Sequence, residues 1–158
     1  MLEDDQIEKL HALESDGHSI QFHSTFHERA AQYLETHTID EYIENEVFIG
    51  LDAMRAAGFN PVSFAYPGGS HTPSLDAVCL TIFETLRVSD REGPNILFSV
   101  GIDNNSIESV VANPPEIMHA HRITDEDSDY AISRAELEYL FQELISAGYR
   151  FDVITNRD

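Results

Sequence analysis

The sequence predicts an α/β fold with a mainly parallel sheet and helices packed outside it. One recurring pattern supports this prediction: an amphipathic stretch ends near a glycine, and a short apolar run follows. The pattern occurs around Gly17, Gly58 and Gly148. Glycine commonly occupies the left-handed position just past a helix, and helices that alternate with short strands indicate βα units. A length of 158 residues suits one hydrophobic core, so we expect residues 1–158 to form a single domain.

The helices are predicted from apolar side chains at helical spacing and from capping signals. The first helix should run from about Asp5 to Ser15. A longer helix should begin at Thr38, where Thr38 and Glu41 fit a capping box. A second capping box, at residues 133 and 136, precedes the clearest apolar stripe in the chain. A further helix is predicted over 74–86.

Short apolar or alternating runs predict about six strands between these helices. Their predicted ranges are 18–23, 62–66, 87–89, 96–100, 116–121 and 151–154. The second of these strands is broken sharply by Pro67-Gly68-Gly69-Ser70. Glycines let a backbone approach a ligand and leave N–H groups free to point into a site. A plain tight turn is the alternative interpretation.

The chain is strongly acidic, with 29 acidic residues against 9 basic ones and a formal net charge of -20. This balance argues against nucleic-acid binding, which needs a basic face, and against docking on anionic membranes. Self-repulsion of this size destabilises a compact state unless salt screens it, so we expect a halophilic source. An ordinary acidic protein with a crowded carboxylate surface is the alternative.

Two further features bear on location and redox state. No apolar run approaches the roughly 18 residues that a transmembrane helix needs. The acidic start, Met1 to Asp5, lacks the order of a signal peptide, so we expect a cytoplasmic protein. The single cysteine, Cys79, excludes an internal disulfide, and we expect it to be a small buried hydrophobic side chain.

Two histidines four residues apart, His23 and His27, follow the alternating run that predicts the first strand. In parallel α/β folds, ligands and catalytic groups collect at the C-terminal ends of strands. A pair of imidazoles at this spacing can reach one metal ion. Two solvated or hydrogen-bonded histidines at a helix start are the alternative. His121 ends another predicted strand, so we expect His23, the glycine turn and His121 to lie on one rim.

Three segments that carry these features occur in a characteristic order. They are Gly17 to His27, which contains His-Ser-Thr-Phe-His, then Phe64-Ala65-Tyr66-Pro67-Gly68-Gly69, then Ile117-Met118-His119-Ala120-His121. This order resembles the polysaccharide deacetylase family, also called the chitooligosaccharide deacetylase homology domain. The resemblance spans nearly the whole chain. It implies a distorted (β/α) barrel and a hydrolase that removes acetyl groups from N- or O-acetylated carbohydrate.

The resemblance also implies a role for each matched residue. His23 and His27 would be ligands of a divalent metal, with zinc the leading candidate. The Gly68 N–H would help to hold the tetrahedral oxyanion. His121 would be the general acid that protonates the departing amine or alkoxide, and His119 competes with it for that role. The substrate groove would be lined by Tyr66, Pro67, Gly68 and Gly69.

The chain also departs from this family. Its members begin with a strand that ends in Thr-Phe-Asp-Asp, which supplies a third metal ligand and the catalytic base. Nothing before His23 matches that stretch, and Ala65 stands where many members carry an arginine. The chain therefore looks like an incomplete barrel without its first βα unit. We expect it to cover its open strand edges as a homo-oligomer and to bind the metal loosely.

A catalytically incomplete carbohydrate-binding or structural domain is the main alternative function. Bound metal together with acetate release would favour the enzyme, whereas sugar binding without turnover would favour this domain. A metal site of another use is a third interpretation. It would recruit some of the remaining histidines, which include His11, His18, His37 and His71.

Overall fold

The computed structural model describes residues 3–88, 93, 95–103, 105–126 and 129–152. The described chain divides into two compact units, one ending at Leu97 and the other spanning Phe98–Asp152. Each unit is described by itself below. The single domain over residues 1–158 stays a prediction.

The first unit contains most of the helices, and the three helices predicted from Asp5, Thr38 and Ser74 begin within one residue of those positions. They are α1 (Asp4–Ser15), α2 (Ala30–Tyr33), α3 (Ile39–Tyr42), a π-helical turn (Ile43–Phe48), α4 (Ile49–Ala56) and α5 (Pro73–Cys79). The capping box before α3 is confirmed, because Thr38 Oγ1 accepts from the Glu41 N–H and Glu41 Oε2 accepts from the Thr38 N–H. Helix α3, the π turn and α4 follow one another without a break. This run is the longer helix that the sequence predicts from Thr38.

The strands are short, and each pairing with a described register is parallel. The first unit holds a sheet of order β1-β2-β3, and smaller sheets pair β4 with β5 and β6 with β7. The parallel pairings are β1 with β2, β4 with β5 and β6 with β7. The strands are β1 (Ser63–Ala65), β2 (Thr85–Val88), β3 (Ile96–Phe98), β4 (Val100–Gly101), β5 (Met118–His119), β6 (Arg122–Ile123) and β7 (Ala131–Ile132). The mixed α/β class with parallel strands is therefore confirmed, while the barrel stays a prediction.

The predicted strand over 18–23 is reduced to a single bridge between Phe22 and Phe64. The Phe22 N–H donates to Ser63 O, and Phe22 O accepts from the Ala65 N–H. Just before this bridge, the Gln21 side-chain oxygen accepts from the N–H groups of Val62 and Ser63, at 2.8 Å each. The Gln21 side chain thus accepts the backbone N–H groups that a longer strand would have bonded to its own carbonyl oxygens.

The predicted helix over 74–86 is wrong in its second half. Helix α5 ends at Cys79, and residues from Thr85 onward form β2. Apolar spacing suggested a continuous helix, but the Glu84 N–H donates to Val62 O at 2.7 Å and draws the chain alongside β1. Tertiary pairing overrides local periodicity here.

The predicted strand over 116–121 shortens to β5, so His121 lies beyond its end. The His121 N–H donates to an Asp103 carboxylate oxygen at 2.9 Å instead of joining a ladder. The predicted strand over 151–154 begins with Phe151 and Asp152, which are irregular, and its last two residues lie outside the described residues. Ser89, the last residue of the strand predicted over 87–89, also lies outside them.

The second unit holds α6 (Ile107–Ala112) and α7 (Arg134–Ser146). Helix α7 opens with the predicted capping box, in which Ser133 Oγ accepts from the Glu136 N–H and Glu136 Oε2 accepts from the Ser133 N–H. The core of this unit consists of Ile102, Ile107, Val110, Ile132, Leu140 and Leu144.

The core of the first unit includes Phe22, the residue just before the loop from His23 to His27, which is called the histidine loop below. Phe22, Phe64 and Phe83 pack with ring centres 5.4 to 5.7 Å apart. Cys79 belongs to this core and is fully buried, as the sequence predicts. Among the described residues, no helix combines the length and the apolar character that crossing a membrane requires.

Candidate functional site

His23 is oriented by the backbone of β1. Its Nδ1 lies 2.6 Å from Ala65 O. A carbonyl oxygen can only accept, so Nδ1 carries the proton and donates it. In the neutral imidazole the lone pair is therefore on Nε2, which is the atom that a metal ion or a proton would meet. This arrangement follows from the single bridge at Phe22, which places the next residue beside the end of β1.

The loop that follows brings His27 back toward His23. Ser24 and His27 both have positive φ, at 67° and 65°, which is uncommon for residues with side chains. The His27 N–H donates to Ser24 Oγ at 3.0 Å and closes the turn. The two imidazole ring centres lie 5.0 Å apart with their planes at 79°.

A buried glutamate holds this loop against the π turn. Glu46 is 1% exposed, and its Oε2 accepts from the N–H groups of Phe26 and Glu28, on either side of His27. The Glu46 carbonyl oxygen accepts from the Thr25 N–H and the Thr25 hydroxyl. Sequence reasoning missed this residue, because nothing in the pattern Ile43–Phe48 distinguishes it from a solvated helix glutamate.

The close contact between the loop and the helix depends on Gly50. A β-carbon added there would lie 2.7 Å from Thr25 Oγ1 and 2.9 Å from Phe22 Cε2. The Gly50 N–H also donates to Thr25 Oγ1. The histidine loop therefore packs closely against the π turn and the first turn of α4.

The ring-centre spacing of the histidine pair can be compared with that of two ligands of one metal ion. Imidazoles bound to a tetrahedral zinc through nitrogens at about 2.0–2.1 Å have ring centres about 5 Å apart, close to the spacing of His23 and His27. The hydrogen bond from His23 Nδ1–H to a carbonyl is also the usual arrangement for a metal-binding histidine. Within the described ranges, however, no group of three or more His, Cys, Asp or Glu side chains could hold a metal ion.

The glycine turn is a 3₁₀ turn, Pro67–Gly69, at the end of β1. Tyr66, Pro67 and Gly69 are buried, and only Gly68 of the predicted groove residues is exposed. Gly68 has a φ of 58°, which favours glycine. Burial raises the pKa of the Tyr66 hydroxyl well above its usual range, because the charged form would lack water. The surface that this turn offers is therefore the Gly68 backbone.

A buried histidine–aspartate pair lies next to the glycine turn. His71 Nδ1 lies 2.9 Å from Asp76 Oδ2, and the two side chains are 5% and 4% exposed. The Tyr66 ring lies 5.8 Å from the His71 ring, centre to centre. The third interpretation of the sequence includes His71 as an additional metal ligand, but its ring faces a carboxylate in the interior. No sequence signal separated it from the exposed histidines.

The second unit contains the other candidate, His121. Its Nδ1 lies 2.7 Å from Asp103 Oδ2, and the same oxygen accepts from the His121 N–H at 2.9 Å. The Asp103 side chain is fully buried, whereas that of His121 is 57% exposed. Burial opposes ionisation of Asp103, but the side-chain and backbone hydrogen bonds from His121 outweigh it and lower the pKa of Asp103 below its usual value. Asp103 therefore holds the Nδ1 side of the His121 ring through a hydrogen bond.

His119, the competitor for the acid role, has a different partner. Its Nδ1 lies 3.0 Å from Ser99 Oγ. The His119 and His121 ring centres are 5.5 Å apart, with the planes at 81°. The two candidates therefore differ in their partners: Nδ1 of His119 faces a hydroxyl, whereas Nδ1 of His121 faces a buried carboxylate oxygen. Asp103 was not identified from the sequence, because it is 18 positions before His121.

Neither protein-family models nor curated proteins nor solved structures gave a match to this chain.

Proposed function

We propose that this chain carries the metal and substrate site of a carbohydrate deacetylase of the polysaccharide deacetylase type. It would be a hydrolase that removes acetyl groups from N- or O-acetylated sugars, and on N-acetylated sugars it would act on carbon–nitrogen bonds other than peptide bonds. The observation that carries the proposal is the histidine pair. His23 is held by Ala65 O at the end of β1, and the His27 ring centre lies 5.0 Å from that of His23.

The proposed roles follow from the donors and acceptors that each residue offers. His23 and His27 hold a divalent ion, most simply zinc, through their ring nitrogens. When bound, such an ion polarises an acyl carbonyl and lowers the pKa of water. The N–H of the exposed Gly68 is one donor for the oxyanion. His121, in the second unit, is the proposed general acid for the departing nitrogen or oxygen, and its hydrogen bond with Asp103 would orient its ring for that role.

The metal should be bound loosely by this chain alone. Catalytic zinc sites normally have three protein ligands, and the described residues offer a pair without a third carboxylate or imidazole in place. A neighbouring subunit of a homo-oligomer is the donor that we propose for the third ligand. Two contacts support the proposed pair: Ala65 O orients the His23 ring, and the bond from the His27 N–H to Ser24 Oγ closes the backbone turn between the two histidines.

Calorimetry with zinc chloride tests the site directly. The wild type should bind zinc with a dissociation constant in the micromolar range or weaker, since two imidazoles supply only part of a structural zinc site, whose binding free energy is about 10–16 kcal/mol. The double variant H23A/H27A should lose this binding. The matched control is H18A/H37A, which removes two other exposed histidines of the same unit. Zinc binding that survives in H23A/H27A would exclude the pair as the site.

Acetate release from acetylated chitooligosaccharides, measured alongside, tests the activity. Release should be slow and should disappear in H23A/H27A and fall sharply in H121A. The alternative function is a catalytically incomplete carbohydrate-binding or structural domain. The lack of a third ligand among the described residues is the observation that favours it. Oligosaccharide binding without acetate release from the zinc-loaded protein would establish that alternative.

A further inference from the structure

The side chain of Arg29 lies directly against the exposed glycine of the turn. A β-carbon added to Gly68 would come within 2.8 Å of Arg29 Nε, 3.2 Å of Cζ and 3.4 Å of Nη2. A contact of this kind involves the guanidinium itself and not only its aliphatic stem. Gly68 therefore serves two purposes, because its φ of 58° suits glycine and its missing side chain leaves room for the guanidinium.

The backbone around Arg29 is fixed in this position. The Ala31 N–H donates to Ser70 Oγ at 3.0 Å, which joins the start of α2 to the glycine turn. Ala30 is fully buried, and the Tyr42 hydroxyl donates to Glu28 O. Contacts on both sides of Arg29 therefore tie its segment down.

Two hydrogen-bond donors at this place have no acceptor among the described residues. Within the part of the chain that the structure describes, Arg29 has no side-chain hydrogen bond or ion pair, and the Gly68 N–H has no hydrogen bond. This occurs in a chain with 29 acidic and 9 basic residues. Arg55, in contrast, lies 3.7 Å from Asp52. A guanidinium and a peptide N–H that meet at one exposed glycine suit an oxyanion or a carboxylate.

We propose that Arg29 and the Gly68 turn form an anion subsite that holds the acyl oxyanion during deacetylation and the acetate released afterwards. This inference rests on the proposed function for its place in the reaction. Attack by the water oxygen on the acetyl carbon moves the carbonyl π pair onto the acyl oxygen. The attacking water loses one proton as its oxygen bonds to the carbon. On collapse, the electron pair on the acyl oxygen forms the carbonyl again and the C–N bond breaks. The nitrogen keeps the electron pair of that bond and takes up the proton that the water lost, so the products are the free amine and acetic acid, which ionises to acetate. Arg29 supplies positive charge next to the acyl oxygen, in a chain whose net charge of -20 otherwise opposes an anion.

The test is an acetate titration of the ¹⁵N-labelled full chain, followed by the amide signals and the arginine Nε–H signals. Sodium acetate replaces potassium chloride at constant ionic strength, and EDTA removes metal so that acetate cannot bind through it. Saturable shifts should occur at Gly68, Gly69 and the Arg29 Nε–H. R29Q should raise the dissociation constant about tenfold, and R29K, which keeps the charge without the planar fork, should raise it less. R55Q is the matched control and should leave it unchanged.

A second variant tests whether R29Q weakens acetate binding at the subsite itself or through a structural change elsewhere. G68A keeps Arg29 but places a methyl group where the guanidinium lies, so it should weaken acetate binding as R29Q does. Equal affinities in the wild type, R29Q and G68A would overturn the subsite, as would acetate shifts that map elsewhere. Zinc binding and acetate release are measured separately from this titration. If they fail while Arg29-dependent acetate binding persists, the subsite stands and the proposed deacetylase does not; the reverse result removes only the subsite.

Discussion

Replacement of Glu46 gives the sharpest test of how the histidine loop is held. In E46A the N–H groups of Phe26 and Glu28 lose their shared acceptor, Glu46 Oε2. Hydrogen bonds to a charged group contribute about 1.5–3 kcal/mol each, but Phe26 is 65% exposed and its amide regains water, so we take the lower end of that range for both bonds. The loss should be about 3 kcal/mol in the free energy of unfolding. For a chain of this size that corresponds to a fall in melting temperature of about 6–12 °C.

The conservative variant separates the acceptor from its charge. Both N–H groups donate to one oxygen, Oε2, at 3.1 and 3.3 Å. A glutamine can place its amide oxygen there and keep both bonds, so E46Q should lose only about 1 kcal/mol, the difference between a charged and a neutral acceptor. Glu44 lies on the exposed side of the same π turn and is the matched control, since E44A should change stability by less than about 0.5 kcal/mol.

The measurements are urea unfolding followed by circular dichroism and amide hydrogen exchange at Phe26 and Glu28. All variants are compared at one potassium chloride concentration and without metal. Exchange at the two amides should accelerate strongly in E46A and little in E46Q or E44A. Equal unfolding curves for E46A and E44A would refute the reasoning, because Glu46 would then be an ordinary helix residue. Unchanged amide exchange in E46A would show that the loop is held by other contacts.

Three further predictions concern acid, salt and assembly. The pKa of Asp103 is lowered in the folded chain from its ordinary 3.8, so its contribution to stability is present above that value and is lost as the pH falls through the lower folded value. Melting curves of wild type and D103N should therefore converge below about pH 4, and a constant difference at every pH would contradict this. With a net charge of -20, the melting temperature should rise as potassium chloride shortens the Debye length below about 10 Å, and a flat or falling curve would contradict the halophilic interpretation. Exposed Phe141 and Ile145 on α7 are consistent with a homo-oligomer, which light scattering in moderately high salt should detect and a monomer would exclude.

Elements that depend on neighbouring residues could be predicted from the sequence. The boxes at Thr38 with Glu41 and at Ser133 with Glu136 join residues three positions apart, so their pattern is complete in the sequence. The first helix was also predicted within a residue of its observed start, because its cap, apolar spacing and end signal are all local. Local interactions therefore set most of the helix boundaries.

The supports of the candidate site could not be predicted, since each connects distant parts of the chain. Glu46 binds amides that lie 18 and 20 positions earlier, and Asp103 binds a histidine 18 positions later. In the sequence Glu46 and Asp103 are two of 29 acidic residues, and no spacing distinguishes them from the others. The strand predicted at residues 18–23 failed for the same reason. Alternation indicated a ladder, but the Gln21 side chain, a long-range partner of β1, took its donors.

The backbone of the histidine loop explains why these distant contacts matter for function. Ser24 and His27 hold positive φ without being glycine, a conformation that costs of order 1–3 kcal/mol each and persists only when the surroundings over-determine it. Here the surroundings are the Glu46 carboxylate and the close approach at Gly50. Because the same loop sets the position of His27 relative to His23, a change in the π turn should alter the spacing of the two rings. The geometry of the candidate metal site therefore depends on the packing of the π turn and α4 as well as on the two histidines themselves.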